Sequence, residues 1–121
     1  MGLAKNFVGS GFSGQQAQAI TSNVIGTVAA AGTTQGTATA LTADVNNVTS
    51  GGADSGVILY NGTIGDDQYV YNNQLVQIRV YPPTGAKINQ IAADGGHILA
   101  AQTSGFYKKL SATQCMCLQS A

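Results

Sequence analysis

The chain of 121 residues contains no glutamate and no tryptophan, a single histidine (His97), two cysteines and two prolines, and only 8% of its residues are charged. Each shortage removes something. Helix surfaces are ordinarily built from Glu and Lys, so their scarcity, with Gly, Ala, Thr, Ser, Asn and Gln in their place, favours turns and small-residue strands over amphipathic helices. With one imidazole, any His-dependent triad has to run through His97 in Asp94-Gly95-Gly96-His97, and no serine stands in a nucleophile elbow. The one adjacent carboxylate pair, Asp66 and Asp67, faces opposite ways on a strand, which spoils it for acid–base work. Asp44, Asn46 and Asn47 outline a calcium loop, but no Glu is present to close it.

Cys115 and Cys117 stand two apart on an expected strand. Their side chains leave the same face about 7 Å from one another, too far for an undistorted disulfide between them. With one His they make a thin zinc set. Small apolar thiols in a core strand, or an intermolecular disulfide formed under oxidising conditions, remain open. No catalytic activity, metal or cofactor is expected.

Five basic and five acidic residues cancel to a formal net charge of zero. A nucleic-acid partner would call for a basic excess, and none exists. No apolar run approaches the ~18 residues that span a bilayer, and the amino terminus lacks a basic segment followed by an apolar core, so neither a membrane partner nor a cleaved signal is expected. Sparse charge also weakens the usual guard against association. Two readings follow: a surface largely covered by partners, or a Thr- and Asn-rich surface facing water.

What is present is β-patterned. In Leu75 to Asn89, Val76, Ile78 and Val80 alternate with Leu75, Gln77 and Arg79, and Pro82-Pro83 then stops the ladder because neither proline has an N–H to donate. From about Thr21 onward short alternating runs recur between turn clusters, and strands are expected near 22–30, 34–41, 43–49, 56–60, 67–72, 75–81, 86–91, 96–100, 104–110 and 113–119. Asn61-Gly62 is the best local hairpin signal, since both residues tolerate positive φ. No repeat of fixed period is visible. The expectation is an all-β domain over 19–121, a sandwich or a barrel.

Residues 1–18 differ. Gly9, Gly11 and Gly14 satisfy G-x-G-x-x-G, but without the preceding strand, following helix and later acidic residue of a dinucleotide site. The segment reads as a flexible arm whose Leu3, Phe7 and Phe12 order only against another surface. Tyr69 and Tyr71 share one strand face and Val70 takes the other, which makes them core or subunit interface, or a sugar-stacking platform. Lys108-Lys109 puts one charge on each face of a strand and marks an exposed edge. The candidate interface set is Leu3, Phe7, Phe12, Tyr69, Tyr71 and Tyr107.

Five ordered segments carry a resemblance: Thr33 to Leu41 (TTQGTATAL), Asp44 to Thr49 (DVNNVT), Gly56 to Leu59 (GVIL), Val80 to Asn89 (VYPPTGAKIN) and Ser111 to Gln114 (SATQ). In order and spacing over about 25–118 they resemble a family of small tailed-bacteriophage virion proteins. That resemblance implies an antiparallel, jelly-roll-like β-sandwich with a flexible amino-terminal arm, serving as a head decoration, or cement, protein. Such a protein binds the capsid exterior, staples neighbouring major capsid subunits and assembles as a homo-oligomer, trimer or dimer, after synthesis in the host cytoplasm. A tail-fibre or baseplate module that binds host glycan is the alternative. One departure is Cys115, where the family often has an aromatic residue after the Thr-Gln pair.

Overall fold

The computed structural model describes residues 23–119. The arm expected over 1–18, with Leu3, Phe7 and Phe12, lies outside the described residues. Among the described residues ten strands form in chain order: β1 (Val24–Ala29), β2 (Thr39–Ala40), β3 (Val45–Ser50), β4 (Gly56–Ile58), β5 (Asp67–Asn72), β6 (Ile78–Tyr81), β7 (Lys87–Ile88), β8 (His97–Leu99), β9 (Ser104–Ser111) and β10 (Gln114–Gln119). A short 3-10 turn at Gln35–Thr37 occupies the start of the second expected strand, where Thr34 closes a capping box with Thr37. Every expected strand is therefore found, several of them shortened.

Their pairing is not that of a sandwich of antiparallel strands. The chain passes from one sheet to the other and back: β1, β3 and β5 stack in parallel in a six-stranded sheet ordered β1-β3-β5-β9-β10-β7, while β2, β4 and β6 stack in parallel in a four-stranded sheet ordered β2-β4-β6-β8. This is a β-solenoid of three coils, and it corrects the jelly-roll expectation. Between the named strands antiparallel pairs appear only after the third coil, where β9 and β10 extend the first sheet and β8 closes the second, while β7 pairs in parallel with β10. The coils differ in length, since Val24 pairs with Val45 and Val45 with Tyr69, while Thr39 pairs with Val57 and Val57 with Val80. Unequal coils explain how repeated architecture arises without a repeat in the sequence.

Alternation nonetheless sorts the faces as expected. Val48, Val57, Val70, Ile78, Val80, Ile88 and Leu99 are all fully buried between the sheets, with Tyr107 and Cys115 beside them. Leu75, at the head of the expected strand, is 87% exposed and lies outside β6. Asn61-Gly62 is not a hairpin: it belongs to the crossover from β4 to β5, which lie in different sheets. Asp66 tightens that crossover by accepting from Thr63 N–H at 2.8 Å. Lys109 seals it, donating to Asn61 Oδ1 at 2.6 Å and to the Gly62 carbonyl at 2.8 Å. Lys108 and Lys109 therefore mark no edge, because β9 runs between β5 and β10.

The Tyr-Pro-Pro-Thr-Gly-Ala segment is a corner of the third coil. Ala86 N–H donates to the Pro83 carbonyl at 3.0 Å and Gly85 has φ 86°, the left-handed value that the third position of a type II turn requires. Tyr81 is held where glycines flank its ring. A Cβ at Gly56 would come within 2.6 Å of one ring edge and a Cβ at Gly96 within 2.9 Å of the other. The hydroxyl donates to the Thr33 carbonyl at 2.9 Å, tying the corner to the segment before the 3-10 turn. Asp94 completes the tie by accepting from both Gly85 N–H and the Gln35 amide.

Candidate interaction surface

The outward residues of the six-stranded sheet line up across its strands. Val24 opposes Val45, Val45 opposes Tyr69, Tyr69 opposes Phe106 and Phe106 opposes Leu118, so one row crosses β1, β3, β5, β9 and β10. Every member is apolar or aromatic. Val24 is 64% exposed, Tyr69 44% and Leu118 60%, while Val45 and Phe106 are half-buried by their neighbours. The rings of Tyr69 and Phe106 meet at 4.9 Å between centroids with 42° between planes, a cross-strand aromatic pair that braces both side chains in place. At strand spacing the row is about 19 Å long.

Polar groups frame it. On one side Lys108 Nζ meets Asp67 Oδ1 at 2.9 Å and also donates to the Gly65 carbonyl. On the other side Tyr71, opposite Asn47 and Ser104, directs its hydroxyl to Gln102 Oε1 at 3.3 Å. An apolar centre with a polar, hydrogen-bonded rim is the anatomy of a protein–protein interface.

The structure brings Tyr69 and Tyr71 together on this face and puts Val70 inside, as the alternation required. Tyr107 does not join them: it is 1% exposed and lies in the core. Leu118 and Val24, the two ends of the row, were not singled out by sequence reasoning. The signal for Leu118 was available in β10, where Met116 and Leu118 alternate with the inward thiols.

Behind the sheet, Tyr107 meets His97 and Cys117. Its hydroxyl lies 3.0 Å from His97 Nδ1, and Cys117 Sγ is 4.0 Å from the same nitrogen. Burial pushes the His97 imidazole below its ordinary 6.5, opposed by its hydrogen bond with the Gln119 side chain. Burial also raises both thiols above the ordinary cysteine range, opposed at Cys115 by Lys109 and at Cys117 by the Tyr107 hydroxyl. The trio is thus held neutral, thiol beside imidazole, and its chemistry is that of a hydrogen-bonded core wedge. Both cysteines are free, with Cys115 buried in the core and Cys117 packed against it. On the other flank, Tyr60 donates to Asp44 Oδ1 at 2.9 Å, and burial together with that carboxylate pushes its phenol up to about 12. Among the described residues no cluster of three or more His, Cys, Asp or Glu side chains is placed to hold a metal ion.

No protein-family model, no curated protein and no solved structure matches this chain.

Proposed function

We propose that the chain is a structural component of a tailed-bacteriophage particle, a head decoration protein that docks on the major capsid protein and staples neighbouring capsid subunits. The observation that carries this reading is the outward row Val24-Val45-Tyr69-Phe106-Leu118, an apolar strip across five strands with a polar rim. The ordered segments that resemble virion proteins supply the partner. The solenoid lends no support of its own, since the resemblance implied a different fold.

The physics of such a role is avidity. A small domain that oligomerises offers several copies of one modest patch, and bridging several capsid subunits multiplies their effect without new contacts. Buried aromatic anchors carry most of the energy in such patches, so Tyr69 and Leu118 are the side chains to remove. With both truncated (Tyr69→Ala, Leu118→Ser), cosedimentation with undecorated capsids is expected to show apparent affinity reduced by about tenfold or more, with the far-ultraviolet circular dichroism unchanged. Undiminished occupancy would remove this face as the docking surface.

A second reading has its own observation. Tyr69 and Tyr71 are both exposed on one face, and Gln102 stands beside the Tyr71 hydroxyl, so rings and an amide are available for a sugar. Binding of the isolated protein to a glycan array would favour a tail-fibre or baseplate module.

A further inference from the structure

Strand β9 sends its two lysines to opposite faces of the sheet. Lys108 takes the outer face and pairs with Asp67. Lys109 follows Gly105 and Tyr107 on the inner face, opposite the buried Cys115, and lines a small cleft with Leu59, Pro83 and Tyr107. It meets no carboxylate among the described residues, whose ion pairs are Arg79 with Asp54 and Lys108 with Asp67. Instead its Nζ ends on two neutral oxygens of the β4–β5 crossover, Asn61 Oδ1 at 2.6 Å and the Gly62 carbonyl at 2.8 Å.

Backbone contacts fix both partners. Lys109 N–H donates to the Asp66 carbonyl at 3.0 Å, and its own carbonyl accepts from Gly65 N–H at 2.7 Å, so strand and crossover are clamped beside the side-chain contact. The crossover is also folded on itself, with Thr63 N–H donating to Asp66 Oδ2 at 2.8 Å and Asp66 N–H to the Thr63 carbonyl at 3.0 Å. Asp66 Oδ2 lies where a Cβ on residue 62 would stand, and only glycine leaves it room. An amine held against a carboxamide from both sides is a reaction pair whose approach has already been made.

We propose that Lys109 and Asn61 join in a spontaneous isopeptide bond, a covalent staple between β9 and the crossover that leads into the third coil. The ammonium of Lys109 first gives one proton to water. The free amine attacks Asn61 Cγ, the Nζ–Cγ bond forms and the Cγ–Nδ2 bond breaks, and Nδ2 departs as ammonia with a second proton from Nζ. Ammonia then takes up the proton released at the start, so an ammonium and a carboxamide have become a secondary amide and free ammonium ion. No oxidant or cofactor is needed. The competing reaction of an Asn-Gly step is ring closure by the glycine nitrogen, and here Gly62 N–H is engaged by the Tyr60 carbonyl at 3.1 Å. The bond links positions 48 apart in sequence, which constrains the unfolded chain and keeps β9 docked on the coils. It does not depend on the virion reading, because it forms in the isolated chain.

Intact mass spectrometry of the full chain tests it. The amine and not the ammonium is the nucleophile, so the purified protein is held at about pH 9 for several days. The expected result is a growing species lighter by about 17 Da, the mass of ammonia, and a tryptic digest in which Lys109 is uncleaved and carries the peptide that contains Asn61. Lys109→Arg keeps the charge and the reach, and is expected to give no lighter species. The branched peptide identifies the bond in the wild type whether or not the variant folds. An unchanged wild-type mass overturns the proposal. So does a loss of ammonia that persists in Lys109→Arg, since that loss is the ring closure of Asn61 onto Gly62.

Discussion

At the scale of the residue, buried polar side chains do more to hold the coils in place than charges do. Asn72 is fully buried at the end of β5, and its Nδ2 lies within 2.8 to 3.1 Å of the carbonyls of Val76, Leu99 and Ala100. It thereby ties the exit of β5 to the end of β8. Asn72→Ala removes the donor that three carbonyls share, that of Leu99 in a buried contact, and a loss of about 1–3 kcal/mol is expected in urea unfolding. His97 sets a pH response. Its pKa is depressed in the folded protein, so on acidification the unfolded chain takes up the proton first, from about the ordinary 6.5. Stability contributed by the neutral ring is present above that pH and is lost as pH falls toward the lower folded value. Comparing unfolding of the wild type with His97→Gln should show the wild type losing more stability between pH 6.5 and 5, with the two converging in slope above pH 7. Neither residue's role was legible in sequence. A lone histidine and an asparagine in an alternating run acquire their meaning from carbonyls and hydroxyls contributed by distant strands.

At the scale of the element, far more was legible. Alternation located all ten strands and assigned Tyr69 and Tyr71 to one face and Val70 to the other, because the period of two is local and needs no knowledge of partners. The proline corner was legible for the same reason: Pro82 and Pro83 end a ladder by their own chemistry, and Gly85 supplies the positive φ. Asn61-Gly62 misled, since a dipeptide that suits a hairpin also suits a crossover. Its neighbours Asp66 and Lys109 hold it in the latter form. The β5–β9 pair joins the third coil to the antiparallel cap, and Tyr69 packs on Phe106 at its outer face. Removing the Tyr69 ring is expected to cost no more than about 1 kcal/mol of stability, since only cross-strand contact is lost from an exposed site. That small cost is what allows Tyr69→Ala to report on docking and not on folding.

At the scale of the whole molecule, the pairing direction governs behaviour. Each strand of the three coils finds its partner one full turn of chain away, as Val45 does with Val24 and with Tyr69, so most of the ordering entropy is spent before contacts reward it. Refolding in milliseconds to seconds is expected, followed by tyrosine fluorescence in a stopped-flow instrument; microsecond relaxation would contradict the role assigned to parallel pairing. The antiparallel expectation came with the resemblance, and it agreed with the general rule that half-buried, alternating strands are antiparallel because parallel sheets are usually covered on both faces. A solenoid escapes that rule, since its parallel strands keep one face in water. From the sequence alone came the all-β class, the positions of the strands, their inward and outward faces, and the proline corner, all of which follow from interactions within a few residues. Which strands pair, in which direction, and hence which side chains align in the row from Val24 to Leu118, was decided only in three dimensions. A period of two says which way a side chain points and carries no information about the strand that will lie beside it.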